Sequence, residues 1–138
     1  MRMRIVTGLL PSSLAFLGIA AAGSSPDQSQ TVTFAEAVRA ADANSATPEG
    51  KRYDGQLAQF ASEHEGAAMG ACVEASKVPD MSSFQVVLRL TAKGKVNQAL
   101  VKPETNVGVC FRDKMKTEAF PAPPKADYWI RIDMQLRP

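Results

Sequence analysis

Apolar residues recur along the chain in two rhythms, and the switches between them divide it into elements. Phe34, Ala37, Val38 and Ala41 share one helical face, and Thr33 and Glu36 have the spacing of a capping box, which predicts a short first helix. The stretch "DANSATPEGKR" (42–52) interrupts that pattern with Pro48 and Gly50. A longer helix is predicted over about 54–77, where Leu57, Phe60, His64, Ala67, Ala68, Ala71, Cys72 and Ala75 fall at three- and four-residue steps. Gly66 and Gly70 each weaken it by about 1 kcal/mol relative to alanine. Their four-residue spacing leaves room for a closely packed neighbour.

After Val78-Pro79-Asp80 the period changes to two. Phe84, Val86, Leu88 and Leu90 alternate with Gln85, Val87, Arg89 and Thr91, the mark of a half-buried strand. "AKGK" (92–95) supplies a turn, with Gly94 free to take positive φ. Val96 to Lys102 is the returning strand, ended by Pro103; Val96 and Leu100 compete with Ala99 and Val101 for its inner side. Asn106 or Thr105 caps a third helix with Val107, Cys110, Phe111 and Met115 inward, which stops before Phe120. "PAPP" (121–124) reads as a stiff connector. In the last strand Tyr128, Ile130, Ile132, Met134 and Leu136 alternate with Trp129, Arg131, Asp133, Gln135 and Arg137. The first set belongs to the core. The second presents the chain's one tryptophan among charges, on the outer face beside an aliphatic neighbour such as Val87. Trp129, Arg131 and Asp133 are therefore the candidate binding surface.

These elements assemble into an α+β fold: a small three-stranded antiparallel or mixed sheet of order 2-1-3, with the helices packed on one face. The first strand is the most apolar and takes the centre. The helical crossover brings the third strand in parallel to the second. The third strand is then an edge with an unpaired ladder of N–H and C=O groups.

What precedes these elements does not belong to the fold. Arg2 and Arg4 head an apolar run from Ile5 to Ala22, and Ala20-Ala21-Ala22 fits a small-residue cleavage rule. A signal peptide over 1–22, cleaved near Ala22, is expected, followed by a disordered polar leader over 23–31 and one α+β domain over 32–138 with its core in 54–138. An exported, periplasmic protein without a transmembrane anchor follows. Of 16 basic and 14 acidic residues, the surplus is Arg2 and Arg4, so the remainder is neutral overall. It is split, however: residues 23–80 hold 4 basic and 9 acidic groups, and residues 81–138 hold 10 and 5. Nucleic acid is not an expected partner, because aromatics are not interleaved with basic clusters. Two cysteines in an exported chain, Cys72 and Cys110, most simply form a disulfide. Both lie on inner helical stripes.

Cys72 late in a helix, the "KGKV" turn (93–96), "NVGVCFRDKMKTEAFP" (106–121) and the closing "YWIRIDMQLRP" (128–138) follow one another in order. From about Leu57 onward the chain thus resembles the TonB C-terminal-like family, in particular a two-cysteine branch found at the C-termini of some gliding-motility proteins. The resemblance implies a clamp role for the cysteines and a fold that captures an extended segment along a sheet edge. The family's energy transducers keep a membrane anchor and a long proline-rich spacer, which this sequence does not show.

Chemistry is sparse. "EHE" at Glu63–Glu65 invites a metal reading, but His-Glu-x-x-His would need histidine where Ala68 stands. His64, the single histidine, reads as a packing residue, and with it alone no zinc set is credible. No nucleophile elbow or glycine-rich phosphate loop is present. The expectation is a non-enzymatic protein without cofactor or metal: an interaction module of the cell envelope binding an envelope protein or extended peptide. The alternative is a small-ligand or envelope-surface binder using the outer sheet face and the basic C-terminal half.

Overall fold

The computed structural model describes residues 31–136. The expected signal peptide and nearly all of the leader lie outside the described residues. The elements run α1 (Phe34–Ser45), α2 (Pro48–Ala75), β1 (Phe84–Leu90), β2 (Val96–Lys102), α3 (Asn106–Met115) and β3 (Tyr128–Met134). The sheet order is β2-β1-β3 with both pairings antiparallel, so β3 runs parallel to β2 across the central strand. The α+β class and the 2-1-3 order are as the hydrophobic pattern predicts.

Local chemistry explains the boundaries. The capping box of α1 is complete: the Glu36 N–H donates to Thr33 Oγ1 at 3.3 Å, and the Thr33 N–H donates to Glu36 Oε2 at 2.8 Å. Pro48 does not break a helix but begins one. It stands at the first turn of α2, where its missing N–H costs nothing, and Thr47 caps the turn by accepting from the Gly50 N–H at 2.9 Å. Gly50 faces the α1 terminus so closely that a Cβ there would overlap the Asn44 carbonyl. α2 thus begins six residues before the predicted Asp54. Gly66 and Gly70 have open space where a Cβ would stand, so among the described residues no close neighbour uses the room they leave.

In β2 the competition between inner residues is resolved by an irregularity. Leu90 pairs with Val96 and Arg89 with Gln98, leaving Asn97 as an extra residue. That insertion puts Val96, Ala99 and Val101 against the main core and Leu100 on the opposite face. Gly94 in the preceding turn has φ 79°. Thr105 caps α3, accepting from the Gly108 N–H at 2.9 Å.

The main core lies between the sheet and the helices α2 and α3. Phe84, Val86, Leu88, Leu90, Tyr128 and Ile130 meet Tyr53, Phe60, Cys72, Val107, Phe111 and Met115. Cys72 and Cys110 are joined by a disulfide, with Cα atoms 5.7 Å apart, tying α2 to α3 as expected.

The helices do not all cover one face. α1 packs on the other side of the sheet, where Ala37 and Ala41 close over Val87 and Trp129, flanked by Phe34, Val38 and Leu100. The physical reason lies in β1 and β2. Val87 and Leu100 add two aliphatic side chains to the outer row, and with the indole they form an apolar face that water would leave exposed at a cost. Alanines one turn apart let a helix settle closely on that ring. The domain is therefore three layers, α1 / sheet / α2 with α3.

Candidate functional site

Trp129 was the aromatic centre of the expected binding surface, and the structure corrects that. Its side chain is only 7% exposed, sandwiched between β3 and α1, so the indole is a core group of the outer layer. Arg131 and Asp133 stay partly accessible but are engaged within the molecule. Arg131 Nη1 donates to Asp42 Oδ1 of α1 at 2.6 Å and its Nε donates to Asp133 Oδ2 at 3.0 Å. Asp133 Oδ1 also accepts from Gln85 Nε2 at 2.7 Å. The three candidate residues are thus brought together, as fastenings of α1 and β1 to β3. The outer sheet face required by the alternative binding mode is the face α1 occupies.

What remains available is the edge of β3. Among the described residues no strand pairs with its far side. In an antiparallel strand both backbone polar groups of one residue point the same way, alternating along the chain. The Thr91 N–H donates to Lys95 O at 2.8 Å, so Arg89, Val87 and Gln85 turn their groups to β2 and Leu90, Leu88 and Val86 turn theirs to β3. By register, Tyr128, Ile130 and Ile132 pair with β1, and Trp129, Arg131 and Asp133 face outward. The Trp129 carbonyl accepts from Asn44 Nδ2 of α1 at 3.0 Å. The groups of Arg131 and Asp133 lie beyond that cap.

Natural edges are blunted by bulges, prolines or covering segments. β2 has all three: the extra Asn97, Pro103 at its end, and a bridge from Lys95 to Ala119. β3 has neither a bulge nor a proline.

Beside the β3 edge runs a groove of about 420 Å³, bounded by α2 on one side and the end of α1 on the other. Leu57, Phe60, Phe120, Ile130 and Ile132 give it an apolar floor. Asp42, Asp54, Glu65 and Asp133 give it four carboxylates against the single cation Arg131. Two of these, Asp42 and Asp133, already share the single charge of Arg131. Asp54 and Glu65 belong to α2, and among the described residues neither enters an ion pair. Burial holds the Glu65 carboxyl above its ordinary range. The Tyr128 hydroxyl is buried without a hydrogen-bond partner among the described residues. Burial first, and the charge of Asp54 second, raise its pKa. This groove was not visible in the sequence, because α2 and β3 are brought together only by the tertiary fold. The nearest signal was the stripe Asp54, Leu57, Ala61 and Glu65, an apolar helix face with an acid at each end.

His64 stacks on Phe60 with ring centroids 4.2 Å apart, and its Nδ1 lies 3.5 Å from Glu118. Among the described residues no group of three His, Cys, Asp or Glu side chains converges as metal ligands would, and no helix is long and apolar enough to cross a membrane. No family model, curated protein or solved structure matches the chain, so the TonB C-terminal-like resemblance rests on the sequence motifs alone.

Proposed function

We propose that this chain is a non-enzymatic interaction module of the periplasm that captures an extended segment of an envelope protein by adding it as a fourth strand along β3. One observation carries this reading: a strand edge left open beyond the Asn44 cap, with the backbone groups of Arg131 and Asp133 turned outward, beside a groove with an apolar floor and acidic walls. Strand addition takes its affinity from main-chain hydrogen bonds and its selectivity from alternate side chains. The disulfide suits an oxidising compartment. Proline at position 133 tests the reading, because the Asp133 N–H points away from β1 and its loss spares the existing ladder. In cells, Asp133→Pro is expected to abolish crosslinking to the partner while Asp133→Ala retains it, with both variants keeping wild-type circular dichroism. Equal crosslinking by the proline variant sinks edge capture.

A further inference from the structure

We infer that the groove beside β3 takes an extended segment whose inward-facing side chains run basic, apolar, basic, the two cations meeting Asp54 and Glu65 of α2. This rests on the edge-capture reading and adds the chemistry of the partner. A strand added to β3 turns every second side chain toward the layer that holds α2. There it meets one stripe of that helix: Asp54, Leu57, Ala58, Ala61 and Glu65, all lining the groove. The stripe is acidic at both ends and apolar between. Asp54 and Glu65 stand eleven positions apart, which is about 16 Å of helix. Same-face side chains of a strand are about 7 Å apart, so two such steps span nearly that distance. With the segment laid along that stripe, its middle inward residue falls over Leu57 and Ala61 and the outer two reach the carboxylates.

Charge decides between occupants. A second copy pairing through its own β3 would offer Tyr128, Ile130, Ile132 and Met134 inward, none of them cationic. It would leave Asp54, which accepts only from the Ser45 hydroxyl at 3.3 Å, and Glu65 covered without a counter-charge, and it would bring the same carboxylates from the other side. A charge buried without a partner is strongly disfavoured. The Arg131 cation cannot serve either, since it lies on the outer row and is shared between Asp42 and Asp133. A lysine or arginine from a foreign segment supplies what the groove lacks.

The test selects ligands from a random peptide library of about seven residues, a common strand length, displayed against the full-length protein. Enriched peptides are expected to carry lysine or arginine four positions apart with an apolar residue midway. Anisotropy titrations then compare an enriched peptide with its lysine-to-norleucine and backbone N-methylated copies. Norleucine in the peptide, or Asp54→Asn with Glu65→Gln in the protein, should weaken binding by at least about tenfold. N-methylation should abolish it. Peptides that lose binding on N-methylation yet show no basic preference would leave edge capture standing and overturn the charge pattern. Basic peptides indifferent to N-methylation would overturn both, as would a library yielding nothing. A stable dimer of the chain that Asp133→Pro dissociates would show that the second copy is the true occupant.

Discussion

Glu65 sits half-buried on α2 with no ion-pair partner among the described residues, and this fixes the sign of its effect on stability. Its folded-state pKa lies above the unfolded value because burial penalises the charged form. The folded state therefore holds the proton more tightly, and stability falls as pH rises from the ordinary glutamate range through the raised value. Glu65→Gln removes that penalty. Thermal melts should find the variant as stable as wild type or more so at pH 7, with the gap closing below pH ~4, where both states of the wild type are protonated. The opposite sign would mean that Glu65 has a cation partner in solution. Gly50 makes the converse case of a residue that cannot be enlarged. A methyl group there overlaps the Asn44 carbonyl, so Gly50→Ala should cost about 1–3 kcal/mol, read as a lowered denaturant midpoint. An unchanged midpoint would show that the α1–α2 turn can open.

Among the elements, α2 and α3 are coupled by the disulfide and α1 is coupled to the sheet by the indole. The loop closed between Cys72 and Cys110 spans 38 residues, for which loop-closure entropy gives about 4 kcal/mol. Cys72→Ala and Cys110→Ala should each lower stability by an amount of that order in chemical denaturation, and the double variant should be little worse than either. Trp129→Ala leaves a hollow under α1 and should cost about 3–5 kcal/mol. Hydrogen exchange should show α1 amides losing protection before those of α3; equal loss would show that the outer layer is not a separate unit. The rhythm of the sequence revealed all six elements and the capping box at Thr33, while the cap of α3 stayed open between Asn106 and Thr105 and the cysteine pair was read from cysteine number and expected export. It did not reveal which side of the sheet α1 covers. A stripe such as Ala37 and Ala41 says that a helix is buried but not against what, and the clue lay in Val87, an aliphatic residue on the row assigned to solvent. Nor did it reveal the facing of β2, because one inserted residue, Asn97, reverses the alternation. The edge of β3 was legible from topology. Its acidic groove was not, since it needs the placement of α2 beside Ile130 and Ile132.

For the molecule as a whole, the first and last described elements close on one another. Asp42 and Asn44 of α1 hold Arg131 and the Trp129 carbonyl of β3, across sequence separations of 89 and 85 residues. Nothing local rewards that seam until the intervening chain has been gathered in, so its contribution belongs to the last stage of folding. Contacts of such range make folding slow for a domain of this size, on the order of milliseconds to seconds. Until the seam forms, the indole face lies bare beside the strand edge, a state that invites misassociation. Stopped-flow kinetics can locate the event. If α1 docks after the rate-limiting barrier, Asp42→Ala and Asn44→Ala will accelerate unfolding and leave refolding unchanged; slower refolding would place docking before it. The seam then acts as a latch on lifetime rather than on speed of formation: it governs how long the finished domain resists opening, not how quickly it is made.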